Sequence, residues 1–186
     1  MDIEQFLLDV TNENLLAWKT AFAALVIGLA GFQVATAARV WGAGGLPLGE
    51  ATAARLHRFS GRLLLVVSVM LAYTCLFGLA GPTSPTRVLL HSILGGTLFA
   101  VLAVKFSALR LGRPSDRHLP VIGSLLFVNY VAIWALSALD YVMNGEPEPS
   151  SQLQIWVWAA SGLGLAFGGF GLAVFALSRQ RQVKHT

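Results

Sequence analysis

Charge is what this sequence has least of. Asp, Glu, Lys and Arg make up 12% of its 186 residues, against 55% hydrophobic side chains, where soluble chains carry about a quarter charged. That scarcity excludes a soluble globular domain, because long uncharged apolar runs read as membrane spans. Cysteine is nearly absent as well. Cys75 stands alone inside an apolar run, so no intrachain disulfide is possible and its presence says nothing of redox compartment. There is no P-loop, HExxH, cysteine pair or serine elbow, which argues against a self-contained hydrolase or ATPase. A basic leader is also missing: the first 14 residues carry Asp2, Glu4, Asp9 and Glu13, so no cleavable signal peptide is expected.

What the sequence does have is five apolar stretches. The most informative is Ala51–Leu79, which opens with the basic turn Arg55-Leu56-His57-Arg58, passes Gly61-Arg62, and then carries no charge from Leu63 to Ala80. That length crosses a bilayer core as a helix. The other spans are expected at about Thr20–Val40, Thr86–Leu109, His118–Leu139 and Leu153–Leu177. Trp18 and Lys19 sit where an interfacial belt belongs. Gly81-Pro82 breaks the second span so sharply that the third is expected to return antiparallel beside it, and the second, third and fourth spans are expected as neighbours. Asp116 can cap the fourth span, with Pro120 in its first turn. The chain divides into an acidic segment at 1–17, a transmembrane domain at 18–178 and a basic tail at 179–186.

The net charge of +4 does not point to nucleic acid, because the basic residues cluster at the ends of apolar runs. The first loop, the third loop and the tail hold Arg39, Arg55, Arg58, Arg62, Lys105, Arg110, Arg113, Arg117, Arg179, Arg181 and Lys184, against Glu50 and Asp116. The opposite faces hold Lys19 and Arg87 against Asp2, Glu4, Asp9, Glu13, Asp140, Glu146 and Glu148. The positive-inside rule then predicts an all-α bundle of five transmembrane helices in the plasma (inner) membrane, N-terminus outside and C-terminus cytoplasmic. No internal repeat suggests an inverted-repeat transporter.

The chemistry rests on histidines. His57, His91 and His118 lie at span ends, and His91 is inside its span, one turn past Arg87. Ionisable groups within a bilayer are functional candidates by default, and imidazoles from facing helices can hold a haem iron if they share a depth. His57 and His118 both begin spans at the inner face and can meet across the bundle. His91 is about 28 Å from the inner end of its helix, at about 1.5 Å per residue, where the second span offers only Thr74–Leu76. Gly95 lies on the same helix face as His91, leaving room for a flat group such as a porphyrin, or for a close-packed helix.

LHRFSGRLLLVVSV, RVLLHSILGG and Lys105 together resemble a family of short five-helix membrane proteins of unassigned function. That family is distantly similar to ferric reductase-like transmembrane b-type cytochromes. The resemblance covers about Arg39–Ser137. It implies His57 and His91 as haem ligands, with His118 as a possible inner partner of His57. Arg58 and Arg62 would then stand near inner haem propionates, together with Arg117, and Arg87 near an outer one. The chain departs from the pattern where relatives are expected to carry further histidines: Thr74 stands in AYTC, and Met70, Leu71, Val104 and Lys105 fill the places of second ligands. The expected function is a haem b-bearing electron-transfer subunit of a larger redox complex, in contact with other membrane or periplasmic subunits.

Plainer readings stand beside these. His57 can bind lipid phosphate, His118 can be a polar helix start, and His91 can hydrogen-bond a neighbouring span. Met70 reads as a core residue, and Tyr73, Trp134, Trp156 and Trp158 as packing or interface residues. Gly162, Gly164, Gly168, Gly169 and Gly171 in the fifth span read as helix-packing glycines. Together these describe a haem-free anchor subunit, with the glycine face of the fifth span turned to a partner. A transporter would have only His91, Gln33, Asn129 and Lys105 to line a path.

Overall fold

A computed structural model describes residues 15–44, 46–76, 84–110, 118–144 and 150–183. The acidic segment up to residue 14, the Gly81-Pro82 break, Asp116 and Arg117, the acidic loop at 145–149 and the end of the tail lie outside them. The elements are α1 (Leu15–Val40), α2 (Glu50–Leu76), α3 (Pro85–Arg110), α4 (Leu119–Trp134), a π-helical turn (Ala135–Leu139), α5 (Asp140–Asn144) and α6 (Ser151–Val183). The π turn and α5 continue α4 as one span, Leu119–Asn144. Among the described residues, five helices are therefore long and apolar enough to cross a membrane and no strand occurs, the pattern of an all-helical, multi-pass membrane protein. In lipid an uncapped strand edge would leave backbone groups without partners, whereas a helix satisfies its own.

The helix ends follow local chemistry. Gly42 takes a left-handed φ of 69° just past the first helix. The amide of Gly42 donates to the Arg39 carbonyl (3.2 Å) and that of Ala43 to the Ala38 carbonyl (2.9 Å). This paired pattern is the Schellman motif, which needs a residue at home at positive φ. Arg39 Nε then donates to the Leu48 carbonyl at 2.6 Å, folding the glycine-rich loop back onto the helix it leaves. The fourth span starts at His118, whose side chain makes no capping bond, with proline in the first turn as expected.

The first span is the hub. It packs most closely against the fifth, then the second, then the fourth, while the third rests mainly on the fourth. This corrects the expectation that the second and third spans lie side by side. A short connection fixes antiparallel direction but not lateral neighbours, and the small residues that permit close approach are on the first and fifth spans. A Cβ added at Gly31 would fall within 2.8 Å of Gly164 Cα, and one at Gly164 within 2.7 Å of Gly28 N. Neither site has room for a side chain, so the two backbones touch. Gly28 faces Ala160 and Gly171 faces Val34 and Ala35, so numbering rises together and these helices run parallel. Gly168 receives the ring of Phe127 from the fourth span. Gly162 and Gly169 face open space, so only part of the glycine series packs, and it packs inside the chain rather than on a partner.

Around that contact lies a core of Val26, Ile27, Ala30, Leu64, Val67, Leu98, Leu126, Phe127, Tyr130, Trp134 and Ala138. Met70 is not part of it and faces outward. So do Trp156 and Trp158, as membrane-facing rings should.

Candidate functional site: polar layers inside the bundle

The upper end of the bundle is taken here as the end where the first span begins. Polar side chains cross the apolar interior in three layers.

The lower layer joins the first and second spans. Gln33 Nε2 donates to the His57 carbonyl and to Ser60 Oγ, both at 2.6 Å. Thr36 Oγ1 lies 3.1 Å from His57 Nδ1, and Gly61 leaves just enough space for the Gln33 amide, 3.2 Å from where a Cβ would stand. Lys105 of the third span is within electrostatic reach of the His57 ring. The middle layer joins the second, third and fourth spans. Ser68 Oγ and the Tyr130 hydroxyl are 2.9 Å apart. The buried Asn129 amide, in the orientation that satisfies both its ends, donates to the Leu94 carbonyl (3.2 Å) and accepts from the Leu98 amide (3.3 Å).

The upper layer draws on four spans. Arg87 is ion-paired with Asp140, and Asn144 Nδ2 donates to the same carboxylate at 3.0 Å. Lys19 is within electrostatic reach of both Cys75 and His91. His91 Nδ1 and Trp134 Nε1 are buried without hydrogen-bond partners. The Arg87–Asp140 and Asn129–Leu94/Leu98 links fix an antiparallel register between third and fourth spans. In that register His91 stands opposite the π turn, at the level of Trp134.

The sequence-predicted residues are therefore not gathered. His57 and His91 occupy different layers. His118 is exposed at the helix cap, while His57 lies seven residues into its own helix, about 10 Å along it; they start the same end of the bundle without sharing a depth. Arg58 and Arg62 are exposed. Arg87 has its partner in Asp140. Thr74 is buried, donating to the Leu71 carbonyl. Gly95, which shares a face with His91, has nothing within 4 Å of its Cβ position among the described residues.

Sequence reasoning missed Thr36, Ser68, Tyr130, Trp134 and Asp140 as partners, and missed the π turn. Hydroxyls in apolar runs were the available signal for the first three. The π turn has none: ALSAL reads as ordinary helix.

No group of three or more His, Cys, Asp or Glu that could hold a metal ion occurs among the described residues. Opposite His57 stand Gln33, Thr36 and Lys105, and level with His91 stand Lys19, Cys75 and Trp134. Among the described residues the donor set does not fit a bis-imidazole iron.

No curated protein matches this sequence, and no solved structure does; nothing connects it to ferric reductase-like cytochromes. A family match covers residues 4–147, from the acidic segment through the fourth span. The chain belongs to the family of unknown function DUF6529.

Proposed function

We propose that this protein is a helical scaffold or anchor subunit of a plasma-membrane complex, with its N-terminus outside and its C-terminus cytoplasmic. The observation that supports it is the use of the intramembrane polar groups. Gln33, Thr36, His57, Ser60, Ser68, Asn129, Tyr130, Arg87 and Asp140 bind each other or neighbouring backbone, linking four spans. Polar groups committed in this way set helix register in lipid. The partner-facing side is the third span. Ser92, Gly96, Ala100, Ala103 and Ser107 lie exposed along it, and nothing comes within 4 Å of the Gly96 Cβ position. Small residues at such spacing admit another transmembrane helix. Native electrophoresis of gently solubilised membranes should place the chain in a larger complex that Gly96→Leu disrupts. A monodisperse wild-type monomer would refute the scaffold reading.

A second reading, the b-type cytochrome-like electron-transfer subunit, draws on one feature. Thr36 orients His57 through Nδ1 and leaves Nε2 uncommitted, as second-shell partners do for metal-bound imidazoles. Haem, when bound, would supply one-electron transfer, with His57 as the residue that would hold it. A reduced-minus-oxidised spectrum of the intact complex decides: b-type absorbance that His57→Ala removes supports this reading, and its absence ends it.

A further inference from the structure

The second span turns one charged face out of the bundle. Arg55, Arg58 and Arg62 are exposed on it, with Phe59 68% exposed among them. At 3.6 residues per turn, Arg55 and Arg62 fall within about 20° of each other around the helix, two turns and about 10 Å apart along it. Arg58 lies about 60° to one side of Arg55 and Phe59 about 40° to the other. Glu50, the one acidic residue of this helix, is about 140° around from Arg55. The salt bridge formed among the described residues is Arg87–Asp140, so no carboxylate there neutralises the three guanidiniums. His57 lies on the opposite side, with Nδ1 3.1 Å from Thr36 Oγ1, and is not the residue that offers this face to a phosphate.

The same face runs on into apolar residues without a break. Val66, Val69 and Met70 are all exposed and lie within about 60° of Arg55 around the helix. Among the described residues the close neighbour of the second span is the first, which takes its buried side, Ser60, Leu64 and Val67. The uncharged helix beyond Arg62, at 63–76, is about 21 Å long, short of a hydrocarbon core of about 30 Å. Arg62 therefore stands at the hydrocarbon edge rather than clear of it. A guanidinium there, open to lipid and without a carboxylate, needs an acceptor that resides at that depth.

We propose that Arg55, Arg58 and Arg62 hold the phosphodiester of an anionic phospholipid, whose acyl chains lie along Val66 and Met70. Guanidiniums donate in forks that match phosphate oxygens, and basic clusters at the membrane edge draw anionic headgroups. The two turns from Arg55 to Arg62 follow such a headgroup from the surface to the start of the hydrocarbon. An acidic soluble protein can reach Arg55 but not follow this face to Arg62, where the apolar stripe begins. A free phosphate leaves that stripe unused. The inference is independent of the scaffold reading, whose partner-facing side is the third span.

The test is native mass spectrometry of the full-length protein released from detergent, with equimolar phosphatidylglycerol and phosphatidylcholine of the same acyl chains. Wild type should retain phosphatidylglycerol in preference. Arg58→Gln and Arg62→Gln should each weaken that retention about fivefold, the worth of one basic residue at an anionic surface, and leave phosphatidylcholine unchanged. Arg181→Gln, which removes the same charge from the basic tail, should leave both unchanged. Equal retention of the two lipids by wild type would overturn the proposal and leave the arginines to an acidic protein partner. An equal loss in Arg181→Gln would overturn it in favour of diffuse charge attraction, and displacement by equimolar inorganic phosphate in favour of a free phosphate. If either loss variant fails to fold, a phosphatidylglycerol with a photoreactive headgroup takes its place on wild type. Label on residues 55–63 supports the site, and label elsewhere overturns it.

Discussion

Gly164→Ala adds a single methyl group where the structure leaves no space. The new Cβ would stand 2.7 Å from Gly28 N and 2.5 Å from the Ile27 carbonyl carbon. Carbon atoms in contact prefer about 3.5–4.0 Å, and both obstacles are backbone, so no rotamer change relieves the clash. The first and fifth spans must move apart by about 1 Å, the difference between these figures. That would loosen the close contact of Gly31 with Gly164 and of Gly171 with Val34, and with it any Cα–H···O bonding along the seam. Overpacking of this kind destabilises by about 1–3 kcal/mol. For a chain of this size that lowers the melting temperature by about 2–12 °C, on a scale set by soluble proteins. Thermal unfolding in detergent, followed by size-exclusion chromatography after heating, measures it. Gly162→Ala and Gly169→Ala are the matched controls, because their Cβ positions are open; a helical alanine there should be neutral or stabilising. Gly31→Ala combined with Gly164→Ala should cost less than the two single losses added together, since one separation of the helices relieves both. If Gly164→Ala melts with wild type while Gly162→Ala does not, the parallel backbone contact is wrong.

Three further outcomes follow from other layers. Arg87→Ala and Asp140→Ala should each lower thermal stability, and the Arg87→Ala/Asp140→Ala double variant should lose less than both together; strictly additive losses would show that the pair does not form. Asn129→Leu leaves the Leu94 carbonyl and Leu98 amide without their cross-span partner and should destabilise by about 1 kcal/mol, whereas equal stability would remove Asn129 as the third-to-fourth span link. A C-terminal green fluorescent protein fusion should fluoresce and a C-terminal alkaline phosphatase fusion should stay inactive. The reverse pattern would invert the proposed orientation.

The number, length and approximate limits of the spans were legible because hydrophobic runs and their glycine, proline and charged boundaries act locally. The second helix stops at Leu76 within the described residues and the first begins at Leu15, so limits shifted by a few residues while the count did not. Lateral order was not legible. Gly31 and Gly164 are 133 positions apart in the sequence, and nothing near either glycine says that they meet. Gly162 and Gly169, in the same apolar run as Gly164, meet nothing within 4 Å among the described residues. Depth arithmetic did place Thr74–Leu76 opposite His91, because rise per residue is fixed. It could not say which side chains turn inward at that level, since azimuth depends on packing around the hub.

The parallel contact between the first and last spans has a consequence for biogenesis. The hub helix is made well before the surface it needs. At about 5–20 residues per second, the ribosome takes roughly 5–20 s to go from the first span to the fifth. Through that interval the Gly28–Gly31 face stands open in the bilayer, with three intermediate helices that do not replace the missing one. A chain truncated before Ser151 would keep that face open permanently. Such a face, able to accept any small-residue helix, is what sets an unfinished copy apart from a finished one.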